Sequence, residues 1–255
     1  MEPVYLFLVF FFGLLFGSFA NVCIYRLAED QSLLGRSYCR SCKKKIAWFD
    51  NIPILSFLFL HGKCRHCKKE ISKQYPLVEF LVALTFVIIF YLFNLSMTSL
   101  YLCLIFFIYI CIFFIDLKHF IIPNSLNYIL IITGLLKNFD LNLNSIFQNS
   151  YSSLLGCIVG YLLIWSIIVF YKKIKNVEAM GLGDAKLLAG IGAWFGLPAV
   201  FMTIFFASVV GLIFVLPSLI NKKKNLSTAI PFGPYIILGN IVYLFFGEKV
   251  LQLLI

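Results

Sequence analysis

Long, uninterrupted apolar stretches are the feature that most constrains the fold of this chain. The hydrocarbon core of a bilayer is about 30 Å thick and requires about 20 apolar residues per crossing helix. Of the 255 residues, 62% are hydrophobic and 13% are charged. A soluble domain is about 45–50% apolar and about 25% charged. Because a water-soluble core cannot hide such a surplus, the composition predicts a polytopic membrane protein.

The apolar stretches predict an all-α fold with about eight transmembrane helices. The predicted spans cover residues 4–25, 76–95, 98–115, 124–136, 149–171, 185–197, 199–220 and 229–246. The spans 124–136 and 185–197 each have only about 13 residues, or about 20 Å of helix. Irregular backbone at membrane depth is tolerated only against protein or a water-filled cavity. We therefore expect the chemistry of the protein near these two short spans.

The positions of the basic residues predict how the spans are oriented. Of the 21 Lys and Arg residues, 19 lie in alternate loops, namely 26–75, 116–123, 172–184 extended to Lys186, and 221–228. Cytoplasmic loops carry such an excess, so these loops are expected in the cytoplasm and both termini outside. Topology thus explains the net charge of +10, and no nucleic-acid partner is expected.

Two C-x-x-C pairs in the loop 26–75 predict a metal site. Their cysteines are Cys39, Cys42, Cys64 and Cys67, with 21 residues between the pairs. Each C-x-x-C turn can aim two thiolates at one point, and two such turns complete a tetrahedral four-cysteine zinc site. Disulfides and free thiols are the alternatives, but the reducing cytoplasm disfavours stable disulfides. We therefore expect a small cytoplasmic zinc-binding loop domain.

The same loop is strongly basic, with 11 basic and 4 acidic residues. Such a loop can be held near anionic lipid headgroups, or it can dock an anionic partner. Charge alone does not separate these two interpretations.

Two aspartates stand beside apolar spans. Asp116 follows the run Ile-Cys-Ile-Phe-Phe-Ile, and Asp184 lies in the segment Met180-Gly-Leu-Gly-Asp-Ala-Lys186. An ionisable residue at membrane depth is a functional hypothesis by default. Two carboxylates held close together cannot both ionise easily, so one can serve as acid and the other as base. The structural alternatives are an interfacial helix end for Asp116 and an N-cap for Asp184.

Glycines flank the second aspartate. Gly181 and Gly183 are expected to allow an unusual backbone turn and a close approach of helices beside Asp184.

Further motifs surround these residues in a fixed order. They are Gly17-Ser-Phe-Ala-Asn-Val22 with Ile24-Tyr-Arg26, Tyr75-Pro-Leu-Val-Glu79, Asp116-Leu-Lys-His-Phe-Ile-Ile-Pro123, Met180-Gly-Leu-Gly-Asp-Ala-Lys-Leu187 and Pro231-Phe-Gly-Pro234. Together with the two C-x-x-C pairs they resemble the type IV prepilin peptidases, which are membrane aspartic proteases of the G-x-G-D class. The resemblance covers essentially the whole chain.

The resemblance implies a role for each matching residue. Asp116 and Asp184 match the two catalytic aspartates, and the four loop cysteines match the zinc ligands. Gly62 and Lys63 match positions implicated in a second activity, which methylates the new N-terminal amine with S-adenosylmethionine. Glu79 matches an acidic residue of the family's E-P-L-V-E element, whose opening is replaced here.

The resemblance also implies the function and the location. The expected substrates are prepilins or pseudopilins with a short basic leader ending in Gly, cleaved at the cytoplasmic face of the bacterial inner membrane. One aspartate would take a proton from water while the other donates a proton to the scissile group. The expected domains are a first transmembrane helix (1–25), the basic zinc-binding loop (26–75) and a transmembrane aspartic protease domain (76–255).

Two other classes of protein remain as alternatives. Broken helices with acids at mid-membrane fit a secondary transporter, although the sequence contains no two related halves. A zinc-bearing membrane scaffold without catalysis is the second alternative, and it would retain the loop structure without proteolysis.

Overall fold

The described part of the chain is helical. A computed structural model describes residues 3–137, 147, 149–176, 180–220 and 230–254. It contains the helices α1 (Pro3–Ala28), α2 (Leu55–Phe59), α3 (Gln74–Phe93), α4 (Met97–His119), α5 (Asn124–Leu136), α6 (Ser150–Lys175), α7 (Leu182–Ile220) and α8 (Gly233–Leu254). No β-strand occurs in these ranges, so the predicted all-α class is confirmed. The predicted loop 221–228 lies outside the described residues.

Fewer helices than predicted are long enough for a complete crossing. Within the described residues, five helices are long and apolar enough to cross a membrane, compared with the predicted eight spans: α1, α3, α4, α6 and α7. The helix α5 and the apolar part of α8 (Gly233–Gly247) are shorter. The predicted spans 185–197 and 199–220 correspond to the two halves of α7, which are separated at Gly196.

The interruption at Gly196 reverses the direction of the chain. Gly196 has φ 77° and ψ −174°, a backbone conformation that is open to glycine but not to other residues. The N-terminal half of α7 begins close to Asp116, and so does α8, whose first residue Gly233 donates a hydrogen bond to Asp116. The C-terminal half of α7 runs antiparallel to α8, because Gly211 contacts Tyr235 while the earlier residue Ala207 contacts the later residue Gly239. The two halves of α7 therefore form a hairpin.

A buried lysine closes the end of the first half of α7. Lys137 is only 1% exposed, and its Nζ donates to Ser153 Oγ at 2.7 Å and to the Ala193 carbonyl at 3.2 Å. The last carbonyls of a helix have no partner within the helix. The Lys137 ammonium supplies a donor and a positive charge at the point where the helix is broken.

Residues Met1–Cys111 and Ile112–Ile255 form two compact units. In the first unit, α1 and α3 pack antiparallel at very short distance. A methyl group on Gly13 would lie 2.5 Å from Ala83 Cα, and one on Gly17 would lie 2.5 Å from Glu79 Cα. Small residues four apart allow such an approach between membrane helices.

Glycines also allow close helix packing in the second unit. In α6, a methyl group on Gly156 would lie 2.6 Å from the Gly192 carbonyl oxygen, and one on Gly160 would lie 2.8 Å from that of Leu188. These contacts hold α6 against the first half of α7, which carries Asp184 at its beginning. The predicted orientation of the helices and the predicted domain limits stay predictions.

Candidate active site and metal centre

Asp116 lies in the last turn of α4. Its side chain is buried, with 4% of its surface exposed. The backbone N–H of Gly233 donates a hydrogen bond of 3.0 Å to Asp116 Oδ2. Gly233 belongs to the Pro231–Pro234 motif, and this contact gives the motif a physical role that the sequence did not predict. A buried carboxylate held by a backbone donor is more constrained than an acid at an interfacial helix end.

Asp184 lies in the first turn of α7 and is 7% exposed. Its Oδ2 accepts a hydrogen bond of 3.3 Å from the backbone N–H of Gly181. This is the reach-back of a capping box, in which the third helical residue binds the N–H at the N-cap. Asp184 therefore stabilises its helix from inside it and is not the N-cap itself. Asp116 is close enough to interact with it electrostatically.

Ile122 packs against both backbone segments that hold the aspartates. A methyl group on Gly183 would lie 2.9 Å from Ile122 Cβ, and one on Gly233 would lie 3.0 Å from Ile122 Cδ1. Ile122 lies in the short segment that connects α4 to α5, and it contacts both glycines. The sequence gives no indication of this contact, because Ile122 is one apolar residue among many.

The two glycines before Asp184 differ in how closely neighbouring atoms approach them. A methyl group on Gly181 would meet only ordinary contacts, the nearest being Asp184 Oδ2 at 3.7 Å. Gly183 is the crowded position. Neither glycine has a positive φ. A close approach is present at Gly183, but it is made by Ile122 in the segment between α4 and α5 and not by a helix, and neither glycine adopts the left-handed turn that was expected.

Polar side chains of α5 fix the beginning of α7. Asn127 is fully buried, and its Nδ2 donates to the Gly183 carbonyl at 3.1 Å. The Lys186 ammonium donates to Asn124 Oδ1 at 2.6 Å and lies over the ring of Tyr128. These contacts orient the turn that carries Asp184. Neither asparagine was predicted as a site residue from the sequence, although polar residues in a short apolar helix are an indication of function.

The four loop cysteines come together in the first unit. The Sγ atoms of Cys39, Cys42, Cys64 and Cys67 all lie within 4.8 Å of one another. The Sγ atoms of Cys39 and Cys67 are 3.9 Å apart. Tetrahedral zinc with Zn–S bonds of about 2.3 Å places its sulfur atoms about 3.8 Å apart. The cluster can therefore hold a metal ion.

The two C-x-x-C turns have the same backbone geometry. In the first, the Cys39 N–H donates to the Lys44 carbonyl at 2.9 Å. In the second, the Cys64 N–H donates to the Lys69 carbonyl at 2.9 Å. The residues after the second cysteines, Lys43 and Lys68, have φ of 59° and 58°. The repeated conformation aims each cysteine pair inward.

The surroundings of the cluster favour thiolate at one ligand. Burial opposes ionisation of Cys39, but hydrogen bonds from the backbone of Cys42 and Ser41 outweigh it and bring the pKa of Cys39 down to about 7. Metal ligands must be deprotonated. A hydrogen bond from the backbone of Lys69 lowers the pKa of Cys67, but burial and hydrogen bonds to the other thiols outweigh it and raise this pKa to about 11. The cluster therefore keeps protons at neutral pH, and metal binding by all four cysteines would release them.

Gly62 and Lys63 lie at the turn before the second cysteine pair. Gly62 has φ 66°, its N–H donates to the Phe57 carbonyl at 2.8 Å, and a methyl group on it would lie 3.1 Å from the Phe57 ring. Gly62 thus ends the short helix α2. The backbone of Lys63 pairs with that of Glu70, while its side chain is exposed.

Glu79 and Asn21 connect the loop to the helices. Glu79 is 7% exposed, and its Oε2 accepts a hydrogen bond of 2.7 Å from the Ile54 N–H. Asn21 is 2% exposed, and its Nδ2 donates to the Tyr75 carbonyl at 3.0 Å. Both residues belong to motifs of the sequence, but their place in one cleft was not predicted.

Arg26 organises the beginning of the loop. Its guanidinium donates to five successive backbone carbonyls, those of Ser32, Leu33, Leu34, Gly35 and Arg36, at 3.0–3.4 Å. The side chain is 8% exposed. This arginine belongs to the Ile24-Tyr-Arg26 motif of the sequence, but its contacts with the loop backbone were not predicted.

Comparison with known proteins covers nearly the whole chain. Residues 11–93 match the Bacterial Peptidase A24 N-terminal domain, and residues 101–216 match the Type IV leader peptidase family. A protein of Aeromonas salmonicida named Prepilin leader peptidase/N-methyltransferase is 34% identical over 97% of this chain and 92% of its own length.

Two further relatives carry the same name. The protein of Stutzerimonas stutzeri is 35% identical over 93% of this chain and 89% of its own length. The protein of Pseudomonas aeruginosa is 33% identical over the same shares of both chains. No solved structure matches this chain.

Proposed function

This chain belongs to the type IV leader peptidase family, and from that premise we propose that Asp116 and Asp184 are the aspartates with which it hydrolyses the leader peptides of type IV prepilins. Its enzymatic class follows from the family: it is a membrane peptidase that also has N-methyltransferase activity. The observation that carries the assignment of residues is the pairing of two buried carboxylates within one compact unit.

The geometry supports acid–base catalysis by the pair. A backbone N–H holds Oδ2 of each aspartate, from Gly233 in one case and from Gly181 in the other. In the proposed mechanism the second oxygen of each carboxylate interacts with water or with the peptide bond. One aspartate takes a proton from the attacking water, and the other donates a proton to the scissile carbonyl oxygen or the leaving nitrogen. The reaction needs no covalent intermediate.

The loop cysteines are proposed as structural zinc ligands. Four converging thiols at distances that suit tetrahedral sulfur ligation support this assignment. Bound zinc would supply a crosslink between the two C-x-x-C turns. Cys39, Cys42, Cys64 and Cys67 would hold it, and the hydrolysis would not pass through it.

The methyl donor is proposed to be S-adenosylmethionine, with Gly62 and Lys63 needed for methylation. The relatives' name supports the activity. The structure supports an indirect role for Gly62, because this residue fixes the turn that ends α2.

Substrate and membrane are the proposed partners. Prepilins or pseudopilins would be cleaved at the cytoplasmic face of the inner membrane, where the loop also lies. The loop exposes apolar side chains beside its many basic residues: Trp48 is 75% exposed and Phe59 is 79% exposed. Aromatic and basic residues together favour the interface of an anionic membrane. No nucleic-acid partner is proposed.

Asparagine variants test the aspartate pair. Asp116→Asn and Asp184→Asn keep an oxygen that can accept the same backbone hydrogen bonds, but they cannot exchange a proton. We expect each to lower prepilin cleavage by about 10²–10⁴-fold, the contribution of a general acid or base. The measurement is mass analysis of a prepilin after incubation with the purified variant. Asp30→Asn, an exposed loop position, is the matched control.

The alternatives predict the opposite result. If Asp184 only stabilised its own helix, Asn would be tolerated, because its side-chain oxygen can accept the same hydrogen bond from the Gly181 N–H. Full cleavage by either asparagine variant, with reversion by deamidation excluded by mass, would overturn the assignment.

A further inference from the structure

A polar cleft lies where the C-terminal end of α1 meets the N-terminal end of α3, beneath the basic loop. It has a volume of about 110 Å³ and is lined by residues that include Asn21, Tyr25, Glu29, Tyr75 and Glu79. All of them belong to the first compact unit. Complete small-molecule sites usually have about 300–1,000 Å³. The cleft therefore suits one end of a ligand.

The cleft contains a buried acceptor without a donor. Asn21 is 2% exposed, and its Nδ2 donates to the Tyr75 carbonyl, which fixes the direction of the amide. Its Oδ1 is buried and accepts no hydrogen bond from any residue that the structure describes. Leaving a buried acceptor unpaired costs about 1–3 kcal/mol. A ligand with an N–H or O–H group would remove that penalty.

The cleft also contains a carboxylate without a cationic partner. Glu79 accepts hydrogen bonds from the Ile54 N–H and from Ser18. Among the described residues, no lysine or arginine forms an ion pair with it. A buried charge of this kind favours a positively charged ligand.

The neighbouring arginines have other partners. The Arg26 guanidinium is occupied by five backbone carbonyls of the loop. Arg40 forms an ion pair with Glu29 and lies 4.4 Å from the centre of the Tyr25 ring. The two arginines and the two glutamates that line the cleft therefore balance in charge, and among the described residues Glu79 is the carboxylate of this set without an ion-pair partner.

Tyrosine rings form one wall of the cleft. Tyr25 and Tyr75 are stacked, with ring centres 5.1 Å apart. The Arg40 guanidinium already lies over the Tyr25 ring, so the rings give the cleft a rigid wall and not a further cation site. The Asn21 acceptor and the Glu79 carboxylate together favour a ligand group that is cationic and carries hydrogen-bond donors.

We propose that this cleft binds the amino-acid end of the methyl donor used in the N-methylation, with the α-ammonium group directed at Asn21 and Glu79. The inference rests on the proposed methyltransferase activity and adds the binding residues. The methyl donor is a sulfonium compound that supplies an electrophilic methyl group, and its amino-acid end is a zwitterion, which suits a lining whose charges balance. Asn21 Oδ1 and the Glu79 carboxylate accept hydrogen bonds from the α-ammonium group.

The proposal gives Gly62 a physical role. Gly62 ends α2 through its bond to the Phe57 carbonyl, and Ile54, which directly precedes α2, donates to Glu79. A change at Gly62 would shift α2 and with it the donor that orients the Glu79 carboxylate. Gly62 is therefore a positioning residue, and it does not line the cleft.

Equilibrium binding of radiolabelled S-adenosylmethionine to the purified, zinc-loaded chain tests the proposal. Glu79→Gln keeps an oxygen for the Ile54 N–H but removes the negative charge. We expect its dissociation constant to rise about tenfold or more, since a hydrogen bond to a charged group is lost. Glu70→Gln, an exposed acid of the same loop outside the cleft, is the matched control and should bind as the wild type does.

A second measurement needs no variant. Ultraviolet crosslinking of the radiolabelled donor to the wild-type chain, followed by peptide mapping, should label residues 18–40 or 75–79. Unchanged affinity in Glu79→Gln, or a label confined to other residues, overturns the proposal.

Two further outcomes separate this proposal from the rest of the function. If Glu79→Gln weakens binding of a peptide with a free N-terminal amine but not of the donor, the cleft holds the methyl acceptor and the proposal is wrong. If the wild type cleaves prepilin but binds no donor, the methyltransferase part of the function fails together with this inference, while the peptidase part stands.

Discussion

Replacing each glycine of the G-x-G-D motif by alanine should give different results, because the structure crowds only one of them. In Gly183→Ala the new methyl carbon would lie 2.9 Å from Ile122 Cβ. Carbon atoms in contact are about 3.5–4.0 Å apart, so one backbone segment must move by about 0.6–1 Å. Overpacking of this kind costs about 1–3 kcal/mol. Every residue except glycine has a Cβ atom, so replacing Ile122 with alanine would not relieve the contact.

The displacement acts directly on Asp184, the next residue. A misplacement of about 1 Å can reduce the rate of an enzyme about 10²-fold, so we expect Gly183→Ala to lose cleavage by about that factor. In Gly181→Ala the nearest atom to the new methyl carbon is Asp184 Oδ2 at 3.7 Å, and the N–H that binds Asp184 is retained. Because Gly181 is the N-cap of α7, where alanine is disfavoured, the stability of this variant should fall by about 1 kcal/mol or less.

The assay is the rate of prepilin cleavage by the two purified variants, with thermal unfolding measured in the same detergent. The control for membrane insertion is the zinc content, which should be the same in both. Equal loss of activity in the two variants, or a larger loss in Gly181→Ala, would refute the steric reasoning.

The other predictions concern the cysteine loop. The purified chain should contain about one zinc ion, and Cys64→Ser should lower the zinc content and loosen the loop, because three thiolates leave one coordination position open. Metal analysis measures the zinc content, and limited proteolysis measures the loosening of the loop. Freshly reduced wild-type protein without zinc would contradict this prediction. Lys63→Ala should reduce N-methylation at least several-fold while leaving cleavage intact, because methyl transfer and amide hydrolysis need different groups. Mass analysis of the mature N-terminus measures both activities, and an equal loss of the two would argue against separate sites.

The long helices could be predicted closely from the sequence. The predicted spans 76–95 and 98–115 correspond to α3 and α4, which differ from them by at most four residues at either end. A run of apolar residues long enough to cross a bilayer must form a helix, because lipid offers no partner for its backbone groups. Residue order alone contains that information.

The division of α7 was predicted to within two residues. The apolar pattern indicated two spans with a break near residue 198, and the helix is interrupted at Gly196. The buried ammonium of Lys137 at the break was not predicted, since its partners are 16 and 56 residues away along the chain. Such a contact has no local sequence pattern.

The candidate site also has some features that the sequence determines and others that depend on the tertiary structure. The sequence by itself determined which groups have the required chemistry, namely two aspartates beside apolar spans and four cysteines in paired turns, because residue type and spacing limit what such groups can do. Only the tertiary structure decided that Gly233 holds Asp116, that Ile122 crowds Gly183 and that Asn21 and Glu79 share one cleft. Such contacts depend on how closely backbones approach, and that distance is set by residues remote in sequence that pack on both sides of the contact.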